Sequence, residues 1–249
     1  VYPKIPALSD KKTDRVSIYE DNKNLIMENK VIRLIFVKGT MGFSYYLLYV
    51  YRDSVWKIEG VSQPIGYVSF RLSSGKQQSL NILPDEFKIL ADDGKKAVVR
   101  LTKTYQDSEV ANWGFAFEFS MQDNSNVITT KYTAVCDQKK DLLKFNGTTL
   151  LVGEHSFGSN KDYALFPGLE FLEADEYSSD TLSVRAPLSH RWVPHPYKIT
   201  VPLMAVLKNK CLVSLMWDTR YKWDGRNNLI SARFVSPNWI DGQDNHFLG

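Results

Sequence analysis

The chain lacks several things that would define a class. No apolar run approaches the length of about 18 residues needed to cross a membrane as a helix; the longest such stretch, residues 44–51, is short and rich in tyrosine. Two cysteines in 249 residues, Cys136 and Cys211, form neither a metal motif nor a disulfide framework. Their apolar surroundings suit buried thiols. No single charge sign dominates: 31 Lys and Arg stand against 28 Asp and Glu, interspersed, for a net charge of +3. That balance argues against a nucleic-acid surface. Low-complexity segments, repeats and linkers are missing, as are a phosphate loop, a dinucleotide fingerprint and HExxH. Glu154-His155-Ser156-Phe157-Gly158 has Glu where a nucleophile elbow needs its first glycine. No Asp-rich loop matches a calcium hand, and no signal peptide is visible at Val1. The chain begins without Met and stops at Gly249 with no closing element, so it reads as an excised piece of a longer protein.

What is present is aromatic. Hydrophobic residues make up 43% and charged residues 24%, the balance of a folded protein, and aromatics reach 13% with 6 Trp, 13 Tyr and 13 Phe. An aromatic β core and exposed platforms for a flat ligand both account for that load. Most periodic segments read as strands: residues 29–37 (NKVIRLIFV), 42–51, 55–58, 65–72, 87–90, 97–105, 113–121, 127–135, 148–152, 181–184, 198–207 and 212–217. Asp92-Asp93-Gly94 marks a hairpin. Trp113, Phe115, Phe117 and Phe119 fall on one face of their strand. Turn signals recur about every ten residues, the rhythm of an all-β sandwich or barrel. Helical periodicity is confined to a short stretch around residues 168–175. The expectation is one large antiparallel β-sandwich domain over residues 1–249 with few short helices.

The composition changes near residue 153, where regular hairpins give way to long irregular stretches. Four of the six Trp (Trp192, Trp217, Trp223, Trp239) and all four His (His155, His190, His195, His246) follow that point. Loops on a β scaffold are where function concentrates, so the later half is expected to carry the site. Residues 166–176 place Glu170, Glu173, Asp175 and Glu176 beside aromatics. Paired carboxylates serve glycoside hydrolysis or accept hydrogen bonds from sugar hydroxyls; a solvated loop edge is the plainer reading. In residues 190–197, Pro194 and Pro196 stiffen the backbone around His195, near Trp192. These prolines exclude a helical metal pair of His190 and His195. Trp217-Asp218 and Trp223-Asp224 join a flat apolar ring to a hydroxyl acceptor, a pairing suited to sugar and equally to turns. Residues 236–246 add Trp239 and His246. Their oxygens offer ligands for Ca²⁺ without matching a motif, so neither metal nor cofactor is expected. Asn146-Gly147-Thr148 fits the N-glycosylation pattern.

Residues 29–36, a glycine-containing turn and an aromatic strand resemble the opening of galactose-mutarotase-like β-supersandwich domains. Residues 164–172, Pro194-His195-Pro196-Tyr197 and Leu215-Met216-Trp217-Asp218 resemble segments of large bacterial glycoside-hydrolase-like proteins. The resemblance implies a supersandwich that binds a glycan or frames an active site beside an (α/α) toroid, with carbohydrate and a neighbouring domain of the parent chain as partners. It implies a secreted, periplasmic or cell-surface location. The ligand-binding candidates are Trp192, His195, Trp217, Asp218, Trp223, Asp224, Trp239 and His246. In mutarotases a His and a Glu exchange protons, so His195, Glu170 and Glu173 are the catalytic candidates, unassigned by motif. Whether the chain is an enzyme stays open: a self-contained epimerase, glycosidase or lyase is one alternative, and a purely structural or protein-interaction domain the other.

Overall fold

The structure, a computed structural model, describes residues 13–62, 64–152, 162–166, 170–173, 203–216 and 228–235. It is all-β, with seventeen strands and no helix among the described residues. The chain divides into two compact units: Val1–Ile58 with Ile82–Lys139, and Glu59–Asn81 with Lys140–Gly249.

The first unit is a sandwich of two antiparallel sheets. One contains β1 (Ser17–Asp21), β2 (Asn24–Glu28), β3 (Ile32–Gly39), β4 (Gly42–Arg52) and the start of β5 (Val55–Ser62), in that order. The other contains β8 (Glu86–Asp92), β9 (Lys96–Gln106), β10 (Asn112–Gln122) and β11 (Ile128–Cys136), ordered β11-β10-β9-β8. Alternation in β10 sends Trp113, Phe115, Phe117, Phe119 and Met121 inward, all nearly fully buried, as the sequence predicts. Phe119 meets Phe36 edge-on at 4.8 Å and Tyr46 at 5.5 Å, joining the sheets through rings in favourable tilted geometry.

Turns set the registers. Asn22-Lys23, Asp53-Ser54 and Asn209-Lys210 hold both central residues at positive φ, the geometry that matches strand twist in two-residue hairpins. Gly94 (φ 76°) follows Asp93, whose carboxylate accepts from the amides of Lys95 and Lys96 and is held below its usual pKa by those bonds. Gly42 has φ 126°, and a Cβ there would collide with the Pro84 carbonyl, which accepts a 2.6 Å bond from the Phe43 amide.

In the second unit β12 (Asp141–Val152) pairs antiparallel with the end of β5 and with β6 (Gly66–Arg71), and parallel with β17 (Asn228–Val235). β7 (Gln77–Ile82) neighbours β6. A separate sheet contains β13 (Tyr163–Phe166), β14 (Glu170–Glu173), β15 (Leu203–Lys208) and β16 (Cys211–Met216), ordered β14-β13-β15-β16.

Three expectations change. The stretch around 168–175 contains a strand, not a helix: all four residues of β14 are in register with β13, and cross-strand pairing outweighs a weak local helical pattern. Cys136 and Cys211 are half-buried, not buried, and form no disulfide. Asn146 of the glycosylation triplet is 2% exposed within β12, closed to a glycan in the folded chain. The strand expected at residues 181–184 lies outside the described residues.

Candidate functional site

Two features of the described residues contain the chemistry expected of a site. The first is a buried polar row in the first unit. Register aligns Ser17 of β1, Glu28 of β2, Arg33 of β3 and Tyr49 of β4 across four strands on one face. Glu28 is fully buried and Arg33 is 2% exposed. The Arg33 Nε donates to Glu28 Oε2, and the guanidinium lies 4.3 Å from the centre of the Trp56 ring. The Thr13 amide donates to the other carboxylate oxygen at 3.2 Å. Charge in a dry layer is tolerable only when paired and hydrogen-bonded, and this pair is both. Burial, with the Glu28 charge and a hydrogen bond to it, pushes the Tyr19 hydroxyl up to about 12. Burial likewise raises Tyr49 to about 12, against an opposing pull from Arg33. Both phenols are therefore neutral at physiological pH.

That row fixes the interior. Its acid and base neutralise each other and are closed to solvent. Nearby, Asn29 spends all its side-chain bonding: its amide donates to the Gln122 and Ser125 carbonyls at 2.8 and 2.7 Å, and its oxygen accepts from the Val31 and Ile32 amides. It ties the β2–β3 turn to the β10–β11 turn within the unit.

The second feature is the open face of the β14-β13-β15-β16 sheet. Opposite residues in an antiparallel pair share a face. Tyr163, Leu165, Phe171 and Glu173 therefore align with Leu203, Ala205 and Leu207 on β15, and with Leu212, Ser214 and Met216 on β16. The reverse face is closed, with Ala164, Val206 and Val213 buried. The first face exposes large side chains toward its margins, with Tyr163 42%, Phe171 59%, Leu212 63% and Met216 66% exposed, while Ala205 at its middle is buried. The Tyr163 and Phe171 rings sit diagonally across the β13–β14 pair, stacked with centroids 5.3 Å apart and planes 25° from parallel. Glu173 is exposed beside them, opposite Tyr163. An exposed apolar and aromatic patch of this kind marks an interaction surface.

The expected site residues stand as follows. Glu170 and Glu173 are the two ends of β14, Glu170 opposite Phe166 and Glu173 opposite Tyr163. His195, Trp192, Trp217, Asp218, Trp223, Asp224, Trp239 and His246 lie outside the described residues, as do Asp175, Glu176, His155 and His190. Among the described residues no three His, Cys, Asp or Glu side chains converge on a point that would hold a metal ion. No described helix is long and apolar enough to cross a membrane. The sequence reading missed the aromatic pair because Tyr163 and Phe171 are eight positions apart in strands of four residues, too short to display a period. It missed the buried row because Glu28 and Arg33 become neighbours only in register; the available signal was Arg33, a lone charge among the apolar residues 31–37.

No family model, no curated protein and no solved structure matches the chain.

Proposed function

We propose that this chain is a non-catalytic carbohydrate-binding β-sandwich module, of the kind that accompanies glycoside-hydrolase-like enzymes at or beyond the cell surface. The observation that carries the reading is the exposed Tyr163–Phe171 pair on the open sheet face. Aromatic rings present flat apolar surface to the C–H faces of pyranose rings, and the Glu173 carboxylate opposite Tyr163 is an acceptor for sugar hydroxyls. The rings stand on strands, so the surface is formed before the ligand arrives and little ordering cost opposes binding. In this reading the Trp-Asp pairs at 217–218 and 223–224, with Trp192, His195, Trp239 and His246, remain glycan-contact candidates by residue type, and the supersandwich resemblance supplies the class of parent protein.

Affinity gel electrophoresis against soluble plant and host polysaccharides tests the proposal. Retardation is expected with at least one glycan. Replacing both Tyr163 and Phe171 with Ala is expected to weaken it by about tenfold or more, the loss of roughly 1.4 kcal/mol or above. Mobility unaffected by every glycan, or retardation indifferent to both substitutions, would sink the reading.

A further inference from the structure

The outer strand of the open sheet has a property its sheet mates lack. Among the described residues β16 has β15 on one side and no strand on the other. Edge strands expose unpaired backbone groups and invite strand addition, so folded proteins guard them with charge, proline, bulges or short length. Other outer strands show such guards: β1 has Glu20, β8 has Glu86, β11 has Lys131 and β14 has Glu173. β8 also has a bulge between Ile89 and Ala91, and β7 exposes only Gln77, Ser79 and Asn81. β16 contains no charge and no proline, and its pairing with β15 runs six residues without a register shift.

We infer that β16 is a self-association edge, at which a second copy of this chain adds its own β16 antiparallel to the first. The sequence of the strand favours a second copy over an unrelated segment. Leu212-Val213-Ser214-Leu215-Met216 has the same chemical character read from either end, two apolar residues on each side of a serine. Two-fold pairing requires such self-complementarity, because each position meets its mirror across the dyad. Opposite residues must share a face. With the dyad on Ser214, Leu212 stands opposite Met216 of the second copy on the open face, and Val213 opposite Leu215 on the closed face. That register covers the two most exposed apolar side chains of the sheet, Leu212 and Met216, and brings no like charges together. It joins two four-stranded sheets into one of eight. The edge is separate from the stacked Tyr163–Phe171 pair: β16 lies two strands from β13 and three from β14.

Sedimentation equilibrium of the whole chain over a wide concentration range tests it, with expected dimerisation. Leu212→Lys with Met216→Lys sets lysine against lysine at two symmetric positions and is expected to weaken association by about tenfold or more. Leu212→Lys with Met216→Glu sets opposite charges at the same positions and is expected to restore it. Both sites are well exposed, so both variants are expected to keep the fold, with unchanged far-ultraviolet circular dichroism as the check. A monomer at every concentration, a dimer indifferent to both variants, or equal loss from both overturns the inference. Glycan retardation measured on the same variants separates its failure from failure of the binding reading.

Discussion

Two sheets of the molecule treat their faces in opposite ways. In the first unit, β2 is buried at every position and β3 over its first five residues, on both faces. In the second unit, the β13–β16 sheet buries one face and opens the other. In the doubly buried sheet and its turn, Glu28, Arg33 and Asn29 pair their buried polar atoms within the unit. The open sheet spends its exposed positions on Tyr, Phe, Leu and Met. Fixed polarity inside one unit specifies a fold; free apolar surface on the other is available for recognition.

Breaking the buried sheet should have the largest effect. Glu28→Ala strands the Arg33 charge and is expected to cost about 3–5 kcal/mol. Phe119→Ala opens a cavity between the two sheets at a similar cost of about 3–5 kcal/mol. Urea denaturation monitored by Trp fluorescence reads both. Next comes alkaline unfolding. The raised pKa values of Tyr19 and Tyr49 mean that the folded state holds protons the unfolded chain releases. The stability they contribute is complete below about pH 10 and declines toward pH 12. Ultraviolet titration at the phenolate band should show two late-ionising tyrosines, and Tyr49→Phe should flatten the alkaline loss.

A smaller and opposite change is expected at Val110. This β-branched residue sits at φ 66° and is 64% exposed, in a loop organised by Asp107, which accepts from the Glu109 and Ala111 amides and from Trp113 Nε1. Val110→Asn removes left-handed strain and should stabilise by about 1 kcal/mol, seen as a raised Tm. The smallest effect sharpens the comparison from the other side. Phe171→Ala on the open face should leave stability within about 0.5 kcal/mol, as exposed positions do, while diminishing glycan retardation. A large loss of stability there would mean the face is a covered core.

The strands legible in the sequence were those with a strong period or a strong turn. β10 follows from alternating aromatics, and the β8–β9 hairpin from Asp92-Asp93-Gly94. β1 and β2 were not legible: Ser17–Asp21 ends in charges, and the Asn22-Lys23 turn lacks glycine. β7 (QQSLNI) has too little apolar content to read as a strand and is placed by its neighbour β6. β12 extends well upstream of the expected 148–152 because three different strands complete its pairing, a tertiary fact with no local trace. The open aromatic face was invisible for a related reason: its rings come from β13 and β14 and become neighbours only in register. The loop residues chosen for their Trp, His and carboxylate content lie outside the described residues, so the proposal for them rests on composition and resemblance.

The interleaving of the two units has a consequence for synthesis. Residues 59–81 belong with the chain from Lys140 onward, yet they leave the ribosome inside the span that forms the first unit. The first sandwich has all of its strands once Lys139 has emerged. The end of β5 and β6 must wait for β12, and β12 must wait longer still for β17, whose last paired residue is Val235. A translational pause between residues 140 and 152 would therefore leave a finished sandwich with the end of β5 and β6 still lacking β12, the state a nascent-chain chaperone would have to shield.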